Sequence, residues 1–170
     1  MSHEKHSKFK QIQEEHLKWR QHNFPGQETW MPLMGLVEEL GELREANDGK
    51  EVVDAIGDCC IYLADYCNGM GYDLDWLYNY PEVERIVDWG GLVGVLGKLC
   101  HSHLKMTQRI RMTEDHKKEG QYAISQILAF LQSFHTVTLD QLVYKIWENV
   151  RKRDWIKDQN TAHVRRYEEE

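Results

Sequence analysis

The chain reads as an all-α protein. Three observations carry that expectation: prolines occur only at positions 25, 32 and 81, the long segments between Gly and Pro clusters repeat their apolar residues about every 3.6 positions, and one helical segment occurs twice. Gly35-Leu36-Val37-Glu38-Glu39-Leu40-Gly41-Glu42-Leu43 answers to Gly91-Leu92-Val93-Gly94-Val95-Leu96-Gly97-Lys98-Leu99. The frame of Gly, Leu and Val is kept, while Glu38 becomes Gly94, Glu39 becomes Val95 and Glu42 becomes Lys98. If both copies form the same helix, the three glutamates are not there to make it fold.

The correspondence continues in order. Ala55-Ile56 and Tyr62-Leu63 answer to Ala123-Ile124 and Phe130-Leu131, with Asp54 facing Tyr122 and Asp58 facing Gln126; Leu74-Asp75-Trp76-Leu77 answers to Leu139-Asp140-Gln141-Leu142. The expected architecture is a helical bundle of duplicated helix pairs around a four-helix core. It is a single domain, with an acidic half over 8–80, a second half over 83–157 that has lost the acids, and a tail over 158–170.

The first helix is expected from Lys8 to His22, with Phe9, Ile12, Leu17 and Trp19 as apolar positions, ending before Asn23-Phe24-Pro25-Gly26. The second runs from Pro32 to Ala46, and Asn47-Asp48-Gly49 makes the turn. A third extends from Glu51 to Gly69, followed by a short one opening near Asp73 and ending before Pro81. The second half supplies a helix from Val83 or Leu92 to Arg111, a polar loop over Thr113 to Glu119, a helix from Gln121 to Phe134, and a last helix from near Asp140 to Trp155. The charged segment Asn160 to Glu170 is expected to fray.

With 170 residues, 41% of them hydrophobic, the chain can bury one sizeable core. A net charge of -7 without a long basic run argues against a nucleic-acid partner. No apolar stretch approaches a membrane span, and Met1-Ser2-His3-Glu4-Lys5 lacks the apolar region of a signal peptide, so the expectation is a soluble cytoplasmic protein. Cysteines at 59, 60, 67 and 100 form no CxxC pair, and Cys59, Cys60 and Cys67 fall within an apolar helical pattern, as packing residues do. The histidines form no HExxH and no ExxH motif accompanies the glutamates, which excludes a carboxylate-bridged di-iron bundle. His101 and His103 point to different faces of one helix and do not make a joint metal site.

On a helix, Glu38, Glu39 and Glu42 span an arc of about 100°, and on the next one Glu51, Asp54 and Asp58 span about 60°. Two antiparallel helices joined by a tight turn bring these clusters face to face. A hard divalent cation relieves the repulsion between gathered carboxylates, and Mg²⁺ in particular takes oxygen ligands and keeps waters for a substrate phosphate. Acids on a helix face are most often merely solvated. Two features weigh against that here: the acids are interleaved with the apolar face, and the second copy replaces them while keeping its frame.

Glu38-Glu39-Leu40-Gly41-Glu42, followed by Asp54-Ala55-Ile56-Gly57-Asp58, resembles the EExxE and ExxD signature of the MazG-like, all-α nucleoside triphosphate pyrophosphatases. Asn23-Phe24-Pro25, Ile61-Tyr62-Leu63-Ala64-Asp65-Tyr66-Cys67 and Arg153-Asp154-Trp155 are similar to segments of small phage and bacterial members, most closely over residues 8–77. The signature's glutamate falls at position 55, which is alanine here; Asp54 and Glu51 are the two candidates to replace it.

The resemblance implies Mg²⁺-dependent hydrolysis, with Mn²⁺ as an alternative ion, of a nucleoside triphosphate to the monophosphate and pyrophosphate. By position, Glu39, Glu42, Asp54 and Asp58 would hold metal, with Glu38 and Glu39 orienting the attacking water. Metal ions can neutralise phosphate charge, align the substrate and lower the pKa of a bound water. Lys98, Lys105 and Arg109, with Arg111 after them, are candidate phosphate partners from the second half, and Lys145, Arg151 and Arg153 form a second basic group. Phe24, Trp30 and Tyr66 are candidates for stacking on a base, with Asn68 as a polar neighbour. Family members often build a four-helix core by pairing two chains; a fused double unit would form it within one chain, with a homodimer as a further assembly. That arrangement demands that the helix of Lys98 pack beside the helix of Glu42. The alternatives are a nucleotide-binding or regulatory protein without turnover, and a structural bundle whose acids only solvate a face.

Overall fold

The computed structural model describes residues 7–109 and 114–158. Seven helices lie among them: α1 (Lys8–Asn23), α2 (Met31–Glu45), α3 (Gly49–Met70), α4 (Leu74–Tyr78), α5 (Trp89–Gln108), α6 (Glu114–Gln132) and α7 (Leu139–Val150). The described residues contain no strand, so the expected all-α class is what the chain forms. No helix among them is long and apolar enough to cross a membrane.

Helix starts follow from local chemistry, because an N-cap oxygen accepts the amide hydrogens that the first turn leaves free. Ser7 opens α1 by accepting from Phe9 N, Asp48 opens α3 by accepting from Lys50 N and Glu51 N, Asp73 opens α4, and Asp88 opens α5 through Gly91 N at 2.7 Å. Gly71, at φ 69°, closes α3 in the left-handed conformation while Tyr72 N donates to Cys67 O.

The core is arranged around α3, which carries buried side chains on every face between Ala55 and Cys67, including the fully buried Cys59, Cys60 and Cys67. It packs against α2 on one side, α1 and α7 on others, and touches α4 and α6. The tightest pairs are α2 with α3 and α5 with α6, the two copies of the repeat. Their registers correspond. Gly35 lies against the ring of Tyr62 in the first pair, and in the second Phe130, the counterpart of Tyr62, meets the ring of Trp89 at 5.3 Å, two residues before Gly91.

The third repeated word has its own role. Asp75 accepts from Ser7 N at 2.9 Å and from the Ser7 hydroxyl, while Asp140 accepts from Lys8 N at 2.9 Å. Both aspartates are buried, and both meet the N-terminus of α1, where the helix dipole and unpaired amides favour negative charge. The two halves therefore clasp the same helix end.

Two boundaries depart from expectation. The segment read as a polar loop is helical from Glu114, with Glu114 and Asp115 in the first turn of α6, where acids complement the dipole; Thr113, Arg111 and the tail from Asn160 lie outside the described residues. The last helix stops at Val150 rather than Trp155. Beyond it the chain bends back onto α1, where Trp19 Nε1 donates to Arg153 O and Asn23 Oδ1 accepts from Trp155 N.

Candidate functional site

The acids sit on the α2–α3 hairpin, whose register is set by one close approach. A Cβ added at Gly35 would lie 2.3 Å from the Tyr62 ring, so α2 rests directly on that aromatic face. Gly35→Ala is expected to destabilise the protein by about 1–3 kcal/mol through overpacking, against the gain of about 1 kcal/mol that Ala brings to an ordinary helix interior. Denaturant midpoints check it, and Tyr62→Leu in the same chain should recover part of the loss; a neutral Gly35→Ala would refute the register.

Because α3 runs back along α2, one turn beyond Gly35 meets one turn before Tyr62. That carries Glu39 toward Asp58, and the next turn carries Glu42 toward Ala55 and Asp54. Glu39 is buried and Asp58 half-buried, whereas Glu38, Glu42 and Asp54 are exposed. Burial pushes the Cys59 thiol well up, and the neighbouring Cys60, Glu39 and Asp58 add to the effect.

Asp54 and Glu51, the two acids nearest position 55, sit in different surroundings. Ala55 is buried in the core, so the acidic face of α3 is displaced by one residue onto the exposed Asp54. Glu51 is committed to the helix start: its Oε2 accepts from Asn47 N at 2.6 Å while Asp48 caps the turn. Among the described residues, no three of these five acids bring their oxygens within 4.8 Å of one another. The donors are all carboxylate oxygens, which fits Mg²⁺ or Mn²⁺ and fits a thiophilic ion poorly.

The cationic half of the expected site is placed differently. The packed partner of α2 is α3 and that of α5 is α6, and no α2–α5 pair packs to a comparable extent among the described residues. The demand that the Lys98 helix lie beside the Glu42 helix is therefore not met. The halves join through α3 and α1 on α7, through α4 and α3 on α6, and through Tyr66 Oη at 3.2 Å from His103 Nδ1. The physical reason is that α3 lies between the halves, packing on α2, α1 and α7, and takes up the contacts that a closed α2–α5 seam would have used. Lys98 is exposed, Lys105 half-buried, and Arg109 is the exposed left-handed C-cap of α5 at φ 53°. Of the second basic group, Lys145 is exposed, Arg151 pairs with Glu15 at 2.9 Å, and Arg153 lies over the Trp155 ring.

Asn68 donates its side-chain amide to Gln13 O at 3.0 Å and ties α3 to α1. Tyr66 is a core residue, edge-on to Tyr72, and Phe24 packs edge-on against Trp19. Trp30, at the head of α2, is 49% exposed and remains open to a planar ligand.

Two residues that the repeat comparison treated only as lost acids have a definite task. Tyr122, the counterpart of Asp54, has its hydroxyl 3.1 Å from Glu84 N, which donates to it; Gln126, the counterpart of Asp58, donates to Glu84 O at 3.2 Å. The connector before α5 is thus pinned to α6 at the positions that answer to Asp54 and Asp58. The signal was present in the sequence as polar side chains at the two aligned positions.

Comparison with family models, with curated proteins and with solved structures returns no match for the chain.

Proposed function

We propose that the protein is a Mg²⁺-dependent nucleoside triphosphate pyrophosphohydrolase, with Mn²⁺ as a substitute ion, acting on the α2–α3 hairpin. The observation that carries the reading is the contrast between equivalent faces. In the second half the α6 side of that face carries Tyr122 and Gln126, which hold the chain's own connector, and the α5 side carries Gly94, Val95 and Lys98; in the first half the aligned positions hold Glu38, Glu39, Glu42, Asp54 and Asp58, with Glu38, Glu42 and Asp54 exposed. The repeat keeps its apolar frame in both halves and gathers the acids in one alone, which supports a use for them beyond folding.

Glu39, Glu42, Asp54 and Asp58 would hold the ion. When bound, Mg²⁺ supplies charge neutralisation for the triphosphate and a template for in-line attack by water. Glu38, exposed beside Glu39, is assigned to orient that water by accepting its hydrogen. Lys50 is exposed one turn before Asp54 on the same face of α3 and is a nearer phosphate partner than Lys98. Trp30 offers a ring for the base.

The test is a panel of ribo- and deoxynucleoside triphosphates with Mg²⁺, read as release of pyrophosphate and monophosphate. Turnover of one or more members, absent with EDTA, is the expected result. Ala55 in place of an acid favours a second reading, a nucleotide-binding protein without turnover. Its mark would be a Mg²⁺-dependent rise in melting temperature with a nucleotide and no pyrophosphate. No release and no thermal shift across the panel would eliminate both.

A further inference from the structure

At the far end of the second hairpin, three side chains with metal-ligand chemistry meet. His101 extends from α5, and His116 and Glu119 extend from α6, where their three-residue spacing puts them on one face. Glu119 Oε2 lies 3.3 Å from His101 Nδ1 and 3.8 Å from His116 Nδ1. The two imidazoles stand edge to face with centroids 5.4 Å apart, and one donor atom from each of the three residues falls within 4.8 Å of the others.

These spacings are near those that a transition ion imposes. Tetrahedral donors at about 2.1 Å from zinc are about 3.4 Å from one another. The His101–Glu119 pair already has that separation, and side-chain rotation of the other two closes the rest. The helix backbones beneath are held close: Ser102 is fully buried and its hydroxyl donates to His116 O, while a Cβ added at Gly120 would lie 2.5 Å from Ser102 Oγ. His101 and Glu119 are the chain neighbours of that contact, so their approach is built into the hairpin.

The geometry points to a transition-metal site, formed by His101, His116 and Glu119, that takes Zn²⁺ and clips α5 to α6. Two imidazoles and one carboxylate suit zinc, whereas Mg²⁺ prefers oxygen alone. Three protein ligands leave a fourth position for water or an exogenous ligand. The site shares no residue with the acids of α2 and α3 and stands whether or not those act on nucleotides. An ordinary surface cluster, in which one carboxylate serves two imidazoles, is the competing account.

Calorimetric titration of the metal-stripped full chain with Zn²⁺ decides between them. One site should be lost, or weakened at least about 10-fold, in His101→Ala, His116→Ala and Glu119→Gln, but kept in His22→Gln, which lies elsewhere. Co²⁺ added to the unaltered protein should give the visible absorption of a four-coordinate site, a readout that needs no variant. Zn²⁺ should also raise the melting temperature, and His101→Ala should abolish that rise. No Zn²⁺ binding by the parent protein, or equal affinity in all variants, would overturn the site.

Discussion

Asp58→Asn is expected to lower pyrophosphate release from the preferred triphosphate by at least about 100-fold. Loss of an outer partner of a metal ligand typically costs about 10–100-fold, and the proposed function assigns Asp58 to the ion itself. The change is nearly isosteric at a half-buried position, so circular dichroism and melting curves should stay close to the parent's. Glu39→Gln should act alike, since the proposed function assigns Glu39 to the same ion. The pair Asp54→Asn and Glu51→Gln then tests which acid replaces the absent glutamate. Asp54→Asn should reduce turnover strongly, whereas Glu51→Gln should mainly loosen the start of α3, by about 1 kcal/mol, because its carboxylate holds Asn47 N. Unchanged rates in Asp58→Asn would remove the acids from the reaction.

Between pH 7 and pH 4 the protein should lose about 3 kcal/mol of stability through His16 alone. The ring is 2% exposed, sits 5.5 Å from both Trp19 and Trp147, and its Nδ1 has no hydrogen-bond partner among the described protein atoms. Burial, with the Arg20 charge adding to it, holds its pKa down at about 4, against 6.5 for an ordinary histidine. Between those two values the unfolded chain binds a proton that the native state does not. The contribution is therefore intact above about pH 6.5 and is lost as pH falls toward 4. Urea unfolding of the parent and of His16→Gln at several pH values isolates it. Other groups that titrate in acid, such as Glu15 and Asp154, are common to both proteins and cancel in the difference. Parallel stability curves for the two would show that His16 is not buried in its neutral form.

Much of this was legible along the chain. The short helix opens at Asp73 as its position predicts, and the cysteines of α3 continue an apolar pattern, whereas α5 starts at Trp89, between the two expected starts, because Asp88 caps it. Those are local relations, satisfied within one or two helical turns. The segment Glu114–Glu119 was not legible because it lacks an apolar period, and its helix rests on first-turn acids and on the packing that follows. Reading it as loop also hid the three-residue relation between His116 and Glu119. The tie between Glu51 and Asn47 N is one hydrogen bond in the Asn47-Asp48 turn, which spacing does not report.

The sequence by itself determined the helical class, the two hairpins and the half that carries the acids, because helix periodicity, capping and an internal copy are all properties of neighbouring residues. Only the tertiary structure decided that α5 does not close against α2, that Tyr122 and Gln126 hold the connector to α6, and that Asp75 and Asp140 meet at the start of α1. Those outcomes depend on contacts between residues tens of positions apart, each paid for in chain entropy and decided by the sum of all burial around α3. No single stretch of the chain contains that sum.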